Sequence, residues 1–195
     1  MLNLSYRYDQ NSSSLKIDGI PDVSIGDSTD TIGILSLWTL QIIGFPVLEG
    51  KKEHLKKLMQ AVLQYSRYYI SGIRKTIISN DNIVQITPLN NKHKLLLTST
   101  KTNTKPLEIT LDDSELADLT RCFDLLRFDS RVRIDWQIEN DYPLKRREIY
   151  NSSVKSTFYN YLPSLYGLLI FLLTSSALVL IPTTTNLENI QEQPK

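Results

Sequence analysis

The side chains with which this chain could do chemistry are few: a cluster of carboxylates, two histidines, one cysteine and two groups of basic residues. Asp112, Asp113, Glu115 and Asp118 crowd together as metal-binding carboxylates do. A calcium loop, however, spreads its oxygens over about 12 residues around a glycine, and that spacing is absent here. Asp112 reads instead as the N-cap of a helix, with Glu115 three residues later closing a capping box. His54 and His93 stand among polar and charged neighbours without a second ligand in register, so both are expected at the surface and no zinc site is expected. Cys122, the single cysteine, cannot form an internal disulfide, and beside Phe123 in an apolar pattern it reads as a buried, inert thiol. Neither a glycine-rich phosphate loop, a GxSxG elbow nor an HExxH pair occurs. The expectation is a non-enzymatic protein with no catalytic, cofactor-binding or metal-binding residue and no small-molecule substrate.

The first basic group is Lys51, Lys52, Lys56, Lys57 and Arg67, interrupted by Glu49 and Glu53, which reads as the solvated face of a helix. Tyr65, Tyr68 and Tyr69 flank Arg67 and could bind a partner or stack on bases, although core packing of Tyr69 is the simpler expectation. With 22 Lys+Arg against 21 Asp+Glu, the net charge of +1 argues against a dedicated nucleic-acid binder, which normally presents a strongly basic face.

The second basic group, Lys145, Arg146, Arg147 and Lys155, precedes an uncharged run, LPSLYGLLIFLLTSSALVLI, from Leu162 to Ile181. About 20 helical residues cover the roughly 30 Å core of a bilayer, so this run predicts a transmembrane helix. Its expected anchor residues are Leu162, Leu165, Leu168, Leu169, Ile170, Phe171, Leu172, Leu173, Leu178, Val179, Leu180 and Ile181. Phe158, Tyr159, Tyr161 and Tyr166 resemble an interfacial aromatic belt, and Pro182 ends the run. The four basic residues would orient the span and touch anionic lipid, placing the N-terminal domain on the cytoplasmic or stromal side. The organisation expected is a soluble domain over 1–138, a basic linker over 139–160, a transmembrane helix over 161–182 and a polar tail over 183–195.

These groups must be positioned by the elements before the run. Leu4, Tyr6 and Tyr8 alternate, as do Leu15 and Ile17, with the turn-forming NSSS between them, which predicts a hairpin. Residues 21–31 are loop-like, and residues 32–45 predict a buried strand closed by Gly44 and Pro46. Residues 51–73 predict a helix with an apolar stripe of Leu55, Leu58, Met59, Val62, Ser66, Tyr69, Ile70 and Ile73. Short strands are expected over 83–87, 94–100 and 107–111, then a helix from Asp112 to about Arg127. Val132, Ile134, Trp136 and Ile138 alternate with polar residues, predicting a last half-buried strand. The fold class expected is α+β: an antiparallel β-sheet with two amphipathic helices on one face, built from two β-meander-plus-helix halves and followed by one C-terminal transmembrane helix.

The segments FPVLEGKKEHLKKLMQAVLQYSRYYI and PLEITLDDSELADLTRCFDLLRFDSRVRIDWQI resemble an uncharacterised domain family of cyanobacteria with relatives among hypothetical reading frames of algal plastids. The resemblance covers roughly Leu35 to Ile138 in element order and apolar spacing. It implies a plastid (chloroplast) or cyanobacterial protein at the thylakoid or inner envelope. The functional expectation is a membrane-anchored interaction domain with a protein partner, serving as accessory or assembly factor of a photosynthetic membrane complex. The alternative is a membrane-tethered single-stranded nucleic-acid binder of Whirly/Pur-like architecture, since sheet-plus-helix repeats of that order carry such activity.

Overall fold

Two runs of alternating residues, each ending in an amphipathic helix, build the first unit. The computed structural model describes residues 3–22, 30–99, 104–138, 144 and 162–177. It divides into two units, Met1–Ile149 and Tyr150–Lys195. In the first half, β1 (Leu4–Asp9), β2 (Ser13–Ile20), β3 (Ile34–Ile42) and β4 (Leu48–Gly50) lead into α1 (Lys52–Ile70). In the second, β5 (Ile77–Ile78), β6 (Val84–Leu89), β7 (Lys92–Leu97) and β8 (Leu107–Leu111) lead into α2 (Asp113–Phe128). Each half is an antiparallel meander of four strands in sequence order.

Inward positions of both sheets carry the core. Leu15, Ile17, Leu40 and Ile42 of the first sheet and Ile86, Leu95, Ile109 and Leu111 of the second are essentially inaccessible. One outward row of the first sheet is polar, with Arg7 opposite Lys16 and Lys16 opposite Thr39. Both helices cover the inward faces, α1 through Leu55, Leu58, Met59, Val62 and Tyr65, and α2 through Leu116, Leu119, Phe123 and Leu126. Asp112 and Glu115 form the expected capping box, with Asp112 Oδ1 accepting from the Glu115 N–H at 2.8 Å and Glu115 Oε2 accepting from the Asp112 N–H at 2.8 Å.

The end of α1 is set by Gly72. Its N–H reaches the Tyr69 carbonyl and the Ile73 N–H reaches that of Tyr68, both at 2.9 Å, which is a Schellman turn. Gly72 has φ +76, the left-handed conformation the turn requires. Trp38 fixes the other end, donating its indole N–H to the Lys51 carbonyl at 2.8 Å.

Several sequence expectations are corrected here. Instead of one sheet there are two among the described residues, because no described strand of the first meander pairs with one of the second. The expected last strand keeps its alternation, with Val132, Ile134 and Trp136 buried. Its backbone, however, makes a single parallel bridge between Ile32 and Val132 rather than a ladder. Ile70 lies off the apolar stripe, 84% exposed, and Tyr65 takes the core position instead.

The transmembrane helix is also corrected. In the second unit the described helix, α3 (162–177), has 16 residues. At 1.5 Å per residue that rises about 24 Å, short of a bilayer core of roughly 30 Å. Among the described residues no helix is long and apolar enough to cross a membrane. Leu162, Leu165, Leu168, Leu169, Ile170, Phe171, Leu172 and Leu173 lie on α3 with exposed side chains. Leu178, Val179, Leu180 and Ile181 lie outside the described residues, as do Lys145, Arg146, Arg147 and Lys155, the aromatic residues 158, 159 and 161, and the tail 183–195. The single-pass localisation falls with the span, and with it the cytoplasmic or stromal orientation and the thylakoid or inner-envelope address.

One close approach is open to test. A Cβ on Gly19 would stand 2.4 Å from Ile32 Cγ2 and 2.5 Å from the Ile34 carbonyl oxygen, at the irregularity between Asp18 and Gly19 where β2 slips against β3. Gly19→Ala is expected to lower stability by about 1–3 kcal/mol, read from urea unfolding midpoints, because a backbone carbonyl has to move. Unchanged unfolding would contradict that packing.

Candidate functional site

The face of α1 turned from the core forms one wall of a groove of about 780 Å³. Glu53, Lys56, Lys57, Gln60, Gln64 and Arg67 recur along that wall at three- and four-residue steps, as one helix face must. The facing wall is the unbroken run 75–81, which contains β5. Four cationic side chains, Lys56, Lys57, Arg67 and Lys75, therefore line the groove against two carboxylates, Glu53 and Asp81.

The groove is held open by a small polar framework. Lys57 bridges to Asp81 across it. Asp81 also accepts from the Ser79 hydroxyl at 2.8 Å. The Lys57 hydrogen bond, then those from Ser79 and the Ile83 N–H, hold the Asp81 carboxyl down at about 2. Lys56 donates to Gln137 Oε1 at 2.9 Å, which ties the helix to the segment beyond α2. Lys75 sits over the Tyr68 ring, 4.8 Å from its centre.

Of the basic residues singled out from sequence, Lys56, Lys57 and Arg67 come together here, whereas Lys51 and Lys52 do not line the groove. Lys75 was missed, because it follows the helix in a segment with no periodic pattern of its own. His54 is exposed as expected.

His93 is the clearest correction among the candidate residues, being wholly buried rather than at the surface. The turn between β6 and β7 takes only Asn90 and Asn91, with Asn90 at φ +50, so β7 begins earlier than its apolar residues suggest. His93 then occupies an inward position. Its Nε2 lies 2.8 Å from Asp113 Oδ1 and its Nδ1 2.8 Å from the Tyr65 hydroxyl. With Asp113 ionised, Nε2–H donates to the carboxylate, and in the neutral imidazole Nδ1 then accepts from Tyr65. Tyr69 donates to the same Asp113 oxygen at 3.0 Å and packs edge-on against the imidazole. The bonds from His93 first, and then Tyr69, hold the Asp113 carboxyl below the usual carboxylate range.

A tyrosine, a histidine and an aspartate in a row resemble a nucleophile relay, but the chemistry does not follow. Tyr65 is 1% exposed, and burial pushes its hydroxyl up to about 12. Both imidazole nitrogens are engaged, so His93 presents no open nitrogen to a substrate. Cys122 is equally withdrawn, since burial raises its thiol to about 11. Tyr65, His93 and Asp113 fasten β7 to both helices.

A second polar cluster closes on itself. Arg131 donates to Asp129 Oδ2 at 2.7 Å, the Tyr8 hydroxyl donates to the same oxygen at 2.9 Å, and the guanidinium lies 4.3 Å from the Tyr6 ring centre. Chiefly through Arg131, the Asp129 carboxyl is held at about 2.

The described residues contain no group of three His, Cys, Asp or Glu that could hold a metal ion, the 112–118 acidic cluster included. A family described as a domain of unknown function (DUF4335) matches residues 6–184, and the chain belongs to that family. This bears out the sequence resemblance as membership of an uncharacterised domain family. No curated protein and no solved structure matches the chain.

The role given to His93 predicts a stability effect. Tyr65→Phe leaves the buried Nδ1 without its donor and is expected to cost about 1–3 kcal/mol in urea unfolding. Tyr69→Phe, at the half-buried end of the network, should cost less. Equal losses, or none, would contradict the arrangement.

Proposed function

We propose that this protein is a non-enzymatic interaction domain whose α1–β5 groove receives an acidic segment of a partner protein. The observation that carries the reading is the groove itself: four cationic side chains converge on a cleft holding two carboxylates, in a chain whose overall charge is nearly balanced. A concentration of one sign in a concave site strengthens its field and favours a ligand of the opposite sign. Apolar Ala61, Leu63, Ile77 and Ile138 also line it, so a partner with acidic and apolar residues fits both kinds of lining. The absence of catalysis is supported by the closed state of the groups best equipped for it, His93 between Tyr65 and Asp113, and Cys122 in the core.

The second reading, a single-strand nucleic-acid binder, is favoured by the element order, a four-stranded meander plus helix repeated twice. Stacking of bases on a sheet needs aromatic side chains on its outward positions. In the named strands the aromatic residues Tyr6, Tyr8 and Trp38 all lie half-buried or buried on the inward side. The groove therefore favours a protein ligand.

The test is fluorescence anisotropy of the full chain with labelled peptides mixing glutamate with valine. Binding should weaken as salt rises from about 50 to about 500 mM. Lys56→Glu and Lys75→Glu should each weaken it roughly fivefold, as expected for a charge at a partly exposed interface. Tight binding of oligo(dT) in preference to the acidic peptides, or indifference to both substitutions, would overturn the reading.

A further inference from the structure

The two walls of the groove are lined in different ways. A helix face or a strand face contributes residues at intervals, as α1 does. The opposite wall contributes seven successive residues, from Lys75 to Asp81. Within that run Ile77 and Ile78 form the strand, and Asn80 and Asp81 belong to the turn before β6. Successive side chains of a strand point to opposite faces of its sheet, so Ile77 and Ile78 both line the groove because the edge of the strand faces it.

The pairing pattern agrees. β5 ends the order β5-β6-β7-β8, with β6 its single strand neighbour among the described residues. It pairs Ile77 with Ile86 and Ile78 with Gln85. The Ser79 N–H donates to the Val84 carbonyl at 2.8 Å, so Ser79 turns its N–H toward β6. In an antiparallel ladder the next residue turns its N–H and C=O the other way. Ile78 therefore presents its backbone donor and acceptor to the groove.

We infer that the partner segment lies in extended form along this edge, as a fifth strand of the second sheet. The inference rests on the acidic-segment reading above and specifies its geometry. A strand beside β5 would continue the two rows that cross it. Residues in the row of Ile77, which is buried, point to the inward side where Lys56, Lys57 and Arg67 of α1 line the groove. Residues in the row of Ile78, 50% exposed, lie on the outer face in line with Gln85 and Leu96. The partner segment is accordingly alternating, acidic at one position and apolar at the next. Main-chain hydrogen bonds supply affinity, and the alternate side chains supply the choice of partner.

The probe is an alternating Glu–Val peptide of about eight residues, compared with two analogues N-methylated at every second residue in the two opposite registers. The expected result is that one methylated register binds more than about tenfold worse, because it removes the N–H groups aimed at β5, while the other binds normally. The Ile78 amide of the full chain should also gain protection from hydrogen exchange when the unmodified peptide binds. Binding that Lys75→Glu weakens, with both methylated peptides unaffected, would overturn the added strand and leave the acidic groove standing. Absence of binding by any of the three peptides would overturn both. An Ile78 amide already protected in the protein alone would show that another part of the chain covers the edge, and would also overturn the inference.

Discussion

The two-sidedness of α1 is the constraint on which the rest of the structure depends. One helix has to cover apolar positions of two separate sheets. Its buried stripe meets that demand with Leu55, Leu58, Met59, Val62 and Tyr65, leaving a single face for everything else. Three devices set its position and length: the Trp38 indole at its first turn, the Schellman turn at Gly72, and the Tyr65–His93–Asp113 row along its side. The last of these fastens a residue of the second sheet to the start of α2. Because α1 is fixed in this way, the cations on its outer face stand at a fixed distance from β5, and a groove results.

That outer face looks unremarkable on its own. Lys56, Lys57 and Arg67 mixed with Glu53 describe most solvated helices. What separates this face from a merely wet one is the wall opposite, where a two-residue strand ends a sheet and Asp81 draws Lys57 across. A short strand is a common way to blunt a sheet edge against unwanted pairing. Here the flanking charges restrict which strand the edge can accept, since Lys75 and the α1 cations favour an acidic chain and oppose a basic one. Binding and protection from aggregation thus rest on the same few residues.

Much of the architecture was legible in the sequence where one period dominates. The helical step identified α1, the capping box placed the start of α2 at Asp112, and alternation located β1, β2 and β3, while β6 and β8 lie near the short strands expected over 83–87 and 107–111. Pairing between distant segments was not legible, because both meanders carry the same alternation and nothing local says whether they share a sheet. β4 and β5, of three and two residues, are too short for any period to register. His93 was misplaced because a two-residue turn leaves almost no polar stretch to mark where β7 begins. The uncharged run from Leu162 to Ile181 was read by length and composition as a membrane span, whereas the described helix covers 162–177. The groove was half legible: its helix wall was visible as a basic stripe, while its edge wall depended on β5.

The central claim is that opposite charge across the groove selects the partner segment. It is tested most directly by exchanging the charges. The Lys75→Glu protein is measured with the alternating Glu–Val peptide and with its Lys–Val counterpart, alongside the unaltered protein with both. The account predicts that the unaltered protein prefers the acidic peptide and that the substituted protein recovers affinity when lysine replaces glutamate. An unchanged preference for the acidic peptide after the exchange, or a failure of the basic peptide to gain any affinity, would contradict it.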